Sequence, residues 1–140
     1  MSNRDTKHLT FEELWILDGG WVTNDDEWLR GRIAQALSKI PAEDAKLTYD
    51  KCLFLMPRER ERGSYIPNKF VRDKNLVLFP EALTGEPKAR AERTILHEVA
   101  HFLLGHKMPL LEGLSLDEGM KQEREAEMLV KRWTKRKDWQ

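Results

Sequence analysis

Two histidines, His97 and His101, constrain this chain more than any other pair of its residues. They stand four apart in the run Thr94-Ile95-Leu96-His97-Glu98-Val99-Ala100-His101-Phe102-Leu103-Leu104-Gly105-His106. On an α-helix that spacing stacks two side chains one turn apart on the same face. Two neutral imidazoles so placed can grip one zinc ion at about 2.0–2.1 Å each. Glu98 projects about 100° further round the helix, poorly placed as a ligand but well placed to take a proton from water beside the metal. Two ligands and a base are the physical content of the H-E-x-x-H pattern. The competing reading is a surface helix whose histidines do nothing. Against it, Ala91, Ile95, Val99, Phe102 and Leu103 form an apolar stripe at helical spacing. His97 and His101 flank that stripe, where an imidazole needs a partner.

A catalytic zinc site takes three protein ligands and leaves one position open, so a third ligand is expected downstream. The candidate is Glu123. The 21 residues between it and His101 include Gly105, Pro109, Gly113 and Gly119, enough chain to leave one helix, turn and begin another. The second helix is expected over 116–136, opening near Ser115 or Asp117, with Ala126, Leu129, Val130 and Trp133 as its buried side. Glu123 shares the edge of that side, because Ala126 and Val130 continue its face, and a residue as small as Ala126 lets two helices approach closely. Glu125 lies about 200° round the wheel from Glu123. Glu127, one turn after Glu123, is placed to accept the spare N–H of a zinc histidine.

A third histidine ligand would need the spacing H-E-x-x-H-x-x-G-x-x-H. Gly105 and His106 each miss that spacing by one place, so His106 is expected to cap the helix behind a helix-ending glycine, with contact to substrate as the other role.

The run Arg93-Thr94-Ile95-Leu96-His97-Glu98-Val99-Ala100-His101, ending Gly105-His106, resembles the active helix of the ImmA/IrrE family of zinc metallopeptidases, a gluzincin-like group. Glu123-x-x-Ala126-x-x-Leu129-Val130 is similar to that family's E-x-x-A-x-x-F-A helix, and the likeness extends over roughly residues 50–132. Val99-Ala100 stands where the family has an aliphatic–glycine pair, and the last helix runs into Lys131-Arg132-Trp133-Thr134-Lys135-Arg136 rather than an apolar tail. The resemblance implies that His97, His101 and Glu123 bind one zinc ion per chain and that Glu98 is the base. It also implies a protein or peptide substrate, which in that family is often a helix-turn-helix repressor.

The rest of the chain suits a single domain over residues 1–140, since that length fills one core but not two. Charge balances at 24 basic against 24 acidic residues, so no general attraction to nucleic acid or to a membrane is expected. No apolar run approaches the roughly 18 residues that span a bilayer, and the first eight residues lack the apolar core of a signal peptide. A lone cysteine, Cys52, excludes an internal disulfide and suits a cytoplasmic protein.

In chain order, residues 1–9 read as a polar tail and 10–40 as two helices. Thr10-Phe11-Glu12-Glu13 is a capping box for a helix that stops at Asp18-Gly19-Gly20. The second helix begins after Thr23 or Asn24, carries Trp28, Leu29, Ile33, Leu37 and Ile40 on one face, and ends at Pro41. Trp15, Trp21 and Trp28 are expected in the core. Residues 47–80 read as three short antiparallel strands: 47–57, Ser64-Tyr65-Ile66, and Asn75 to Phe79. Pro87 opens the motif helix over 87–105. The expected fold is therefore α+β, a small three-stranded antiparallel sheet packed on the H-E-x-x-H helix, with helices at both ends.

The expected chemistry is amide hydrolysis. Zinc lowers the pKa of its water and polarises the scissile carbonyl, while Glu98 accepts the water proton and returns it to the leaving amine. Tyr65, His106 and the loop from Arg58 to Arg62 are candidates to stabilise the oxyanion. The alternative is a catalytically silent zinc-bound regulatory or protein-interaction module of the same fold.

Overall fold

The computed structural model describes residues 7–20, 22–23, 26–56, 75–79, 81–106 and 115–135. Helix α1 (Phe11–Asp18) begins at the expected capping box. The Thr10 hydroxyl accepts from the Glu13 N–H while the Glu13 carboxylate accepts from the Thr10 N–H, and the helix ends on Gly19 in the left-handed region. Helix α2 (Glu27–Leu37) is capped by Asp26, whose carboxylate accepts from the Leu29 N–H. Leu29, Ile33 and Leu37 are fully buried along one face of α2. Trp28, expected beside them, is instead 38% exposed. Trp15 stacks on Phe11 with ring centroids 5.7 Å apart and carries the Arg30 guanidinium 3.8 Å above its ring. Trp21 lies outside the described residues.

Helix α2 stops at Leu37 with Ser38 as its C-cap, short of the expected end at Pro41, and Pro41 instead stands at the N-cap of a third helix, α3 (Ala42–Lys51). This corrects the strand expected from residue 47. Ala42, Ala45, Thr48 and Tyr49 are the buried positions, and the separations of three, four and seven among Ala42, Ala45 and Tyr49 are helical rather than alternating. Residues 7–9 do not trail free as a tail. The Ala42 N–H donates to the Lys7 carbonyl at 2.7 Å, and Leu9 packs against the core.

The expected antiparallel sheet is also corrected. Strands β1 (Cys52–Leu55) and β2 (Asn75–Leu78) pair in parallel, in the register Cys52↔Asn75 to Leu55↔Leu78. Parallel neighbours require a long crossover, and the 19 residues between Leu55 and Asn75 provide the length. The expected middle strand, Ser64 to Ile66, lies outside the described residues. On its other side β1 is held by the Val22 carbonyl, which accepts from the Phe54 N–H at 2.7 Å. Phe54 and Phe79 stack with centroids 6.2 Å apart.

After a 3-10 turn (Glu81–Gly85), Pro87 caps α4 (Lys88–Leu103), and α5 (Leu116–Lys135) follows. The Ser115 hydroxyl accepts from the Glu118 N–H and the Glu118 carboxylate accepts from the Ser115 N–H, a second capping box. Helix α4 lies between α2 and α5. Its inner face buries Ala91, Ile95, Leu96, Val99 and Ala100, and each large aliphatic there stabilises the fold by about 1.5–3 kcal/mol. Ala126, Val130 and Trp133 are the buried positions of α5. Lys39 at the end of α2 pairs with Glu92 of α4. One continuous core joins residues from all five helices and both strands. The described chain is thus mostly helical with one short parallel strand pair, and none of its described helices is long and apolar enough to cross a membrane.

Candidate metal centre

Helix α4 turns the edge of its buried face toward α5, and His97 and His101 stand on that edge, their side chains 23% and 20% exposed. Their Nε2 atoms approach to 3.2 Å and the rings meet edge to face with centroids 4.7 Å apart. From α5, Glu123 places Oε1 2.9 Å from Nε2 of His97 and Oε2 3.2 Å from Nε2 of His101. Ala126, fully buried one turn further along α5, is the small residue beside Glu123 at this helix–helix contact.

The donor set fits a divalent metal ion. Ligands at about 2.0–2.1 Å and near-tetrahedral angles stand roughly 3.3 Å from one another. The two separations of 3.2 Å match that, and the 2.9 Å contact needs to open by only a few tenths of an ångström. His97, His101 and Glu123 can therefore hold one metal ion. Two imidazoles and a carboxylate are donors of the kind that catalytic zinc sites use.

Electrostatics favour the same arrangement. Burial holds His101 below the ordinary imidazole range; Glu123 works against that, while His97 and His106 add to it. The ring is therefore neutral near pH 7, the state a ligand requires. Half-buried Glu98 is raised above the usual carboxylate range by desolvation, with His97 opposing the shift and Glu123 adding to it. A carboxylate shifted that way is a better proton acceptor near neutral pH.

A cleft of about 690 Å³ opens beside the group, lined by Arg90, Arg93, Thr94 and His97 of α4 and by Glu123, Glu127 and Val130 of α5 among others. Glu127 thus lies on the cleft wall. Tyr65 and the loop from Arg58 to Arg62 lie outside the described residues.

His106 does more than follow a cap. Gly105 adopts φ +71°, its N–H donates to the Phe102 carbonyl, and the His106 N–H donates to the His101 carbonyl. This pair of bonds is a Schellman turn, and it brings the chain back over the last turn of α4. The His106 ring, 8% exposed, lies with Nδ1 2.9 Å from Nδ1 of His101 and Nε2 2.8 Å from Glu125 Oε1. The spare nitrogen of His101 is therefore engaged by His106, whereas Glu127 was the expected partner of a histidine, and Glu125 acquires a contact that wheel position alone did not suggest. The signal was present in the sequence: a glycine four residues after His101 sets the following residue back over it.

Compared with known proteins, the chain matches no family model, no curated protein and no solved structure.

Proposed function

We propose that this protein is a zinc-dependent metallopeptidase that hydrolyses a protein or peptide substrate in the cleft between α4 and α5. The reading is carried by one observation: Nε2 of His97, Nε2 of His101 and the Glu123 carboxylate converge at ligand spacing, with Glu98 next to the first ligand on the same helix. Bound zinc supplies Lewis acidity to water and to the scissile carbonyl. Glu98 takes the proton of the attacking water and returns it to the leaving amine. The cleft seats the chain of the substrate, and the guanidinium groups of Arg90 and Arg93, which form no ion pair with another described residue, favour an acidic side chain near the cut. The resemblance of the motif helix to the ImmA/IrrE family supports the same chemistry.

The test is Glu98→Gln in the full chain against a panel of unfolded proteins and acidic peptides. Wild type is expected to cleave, and the variant to bind zinc equally well while losing activity by at least a factor of about 100, the scale of one general base. Full activity in the variant removes Glu98 as the base. Zinc uptake by wild type without cleavage of any substrate would point instead to a zinc-bound interaction module.

A further inference from the structure

We infer that Glu125, acting through His106, determines which nitrogen of His101 is free for a metal, making both positioning residues for the proposed centre. This rests on the metal reading of the site.

Three side chains stand in line. Glu125 Oε1 lies 2.8 Å from His106 Nε2, His106 Nδ1 lies 2.9 Å from His101 Nδ1, and His101 Nε2 lies 3.2 Å from both His97 Nε2 and Glu123 Oε2. An ionised carboxylate can only accept hydrogen bonds, and a neutral imidazole has one donor nitrogen and one acceptor. Glu125 therefore requires the hydrogen of His106 to be on Nε2. That leaves His106 Nδ1 as an acceptor, and the donor facing it is His101 Nδ1–H. His101 Nε2 is then left with its lone pair, and it is this atom that converges with His97 and Glu123. Reversing the order, with the hydrogen of His106 on Nδ1, would set two acceptors against each other at Glu125.

The arrangement is built into the backbone. The Schellman turn ties the His106 N–H to the carbonyl of His101 itself at 3.0 Å, so ring and partner share one helix end. The His106 side chain is 8% exposed, which leaves little room for water to replace it. Helix α5 supplies both acids, Glu123 to the metal group and Glu125 to the outer end of the relay. Partners of this kind orient a ligand and raise its basicity, and their loss typically costs about 10–100-fold in metal affinity.

The experiment is zinc affinity of the full chain at neutral pH, measured by competition with a chelating dye. His106→Phe and Glu125→Leu are expected to lose about 10–100-fold, and Glu127→Leu to stay within about twofold. Glu125→Gln, whose amide oxygen still accepts from His106, is expected to restore most of the affinity. In zinc-loaded wild type with ¹⁵N-labelled histidine, His106 Nδ1 should be unprotonated and coupled to His101 Nδ1 across the hydrogen bond, a signature lost in Glu125→Leu. Zinc binding by wild type with unchanged affinity in His106→Phe and Glu125→Leu, or a protonated His106 Nδ1, overturns the relay alone. A wild type that takes up no zinc overturns the metal reading and the relay with it.

Discussion

The Nε2 atoms of His97 and His101 face each other at 3.2 Å across one turn of α4. Two bare lone pairs at that distance repel, and a proton or a cation between them removes the repulsion. The Glu123 carboxylate, in contact with both rings, adds to the attraction for positive charge. Because the histidines are fixed by helical backbone and the carboxylate by helix packing, binding a cation orders little additional chain. A metal ion held there would compete with protons for the same nitrogens, so its affinity is expected to weaken as pH falls.

Ala126 sets how near α5 comes to that pair. It is fully exposed to neither solvent nor cleft but buried at 0% exposure, three residues after Glu123. Ala126→Leu is expected to overpack the contact, costing about 1–3 kcal/mol of stability and moving Glu123 off the histidines. Urea unfolding and zinc titration of the variant check both effects. Wild-type stability together with wild-type affinity would mean that the helix spacing does not depend on this residue.

Gly105 tests the turn that delivers His106. Its φ of +71° is disfavoured for other residues, and a Cβ there would meet no atom within 4 Å. The cost of Gly105→Ala is therefore conformational alone, about 1–2 kcal/mol. Gly105→Asn is expected to cost less, because asparagine tolerates the left-handed region. Equal stability of wild type and Gly105→Ala in urea would contradict the turn.

Much of this arrangement was legible from local chemistry. Thr10 with Glu13 set the start of α1, Pro87 the start of α4, and Ala91, Ile95 and Val99 part of its buried face, which Leu96 and Ala100 complete while Phe102 and Leu103 are only partly buried. The spacing of Ala126 and Val130 pointed Glu123 toward α4, and Glu123 is where the structure brings it to the histidines. Helix α3 was hidden because Thr48 and Tyr49 favour strands and run directly into the strand residues Cys52 to Leu55. Its small buried residues, Ala42 and Ala45, give a weak periodic signal. The parallel pairing of β1 with β2 depends on where the intervening chain goes, which no local pattern encodes. The relay through His106 depends on two separate helices meeting, so Glu125 could not be singled out from its position on the wheel.

Asp18 carries a pH dependence whose sign can be worked out. Its Oδ1 accepts from the N–H groups of Gly20 and Thr23 and from the Thr23 hydroxyl, while buried Oδ2 has no partner among the described residues. Burial raises its pKa above the ordinary carboxylate value, outweighing those bonds and the Arg30 charge. A folded-state pKa above the unfolded one means that the ionised form costs folding free energy, so stability falls as pH rises from the unfolded value through the folded one. Asp18→Asn keeps an acceptor oxygen and loses the charge. Its stability relative to wild type is expected to increase as pH rises from about 4 to about 7. A difference in urea midpoint that is flat or declines over that range would contradict the assignment.

The most direct test of the metal centre is the zinc content of purified wild type and Glu123→Ala, measured by elemental mass spectrometry after incubation with zinc and removal of the excess. About one zinc per wild-type chain is expected, as a single three-ligand site requires, and a sharply lower content in the variant. Equal zinc in both proteins would remove Glu123 as a ligand, and no zinc in wild type would contradict the metal centre itself.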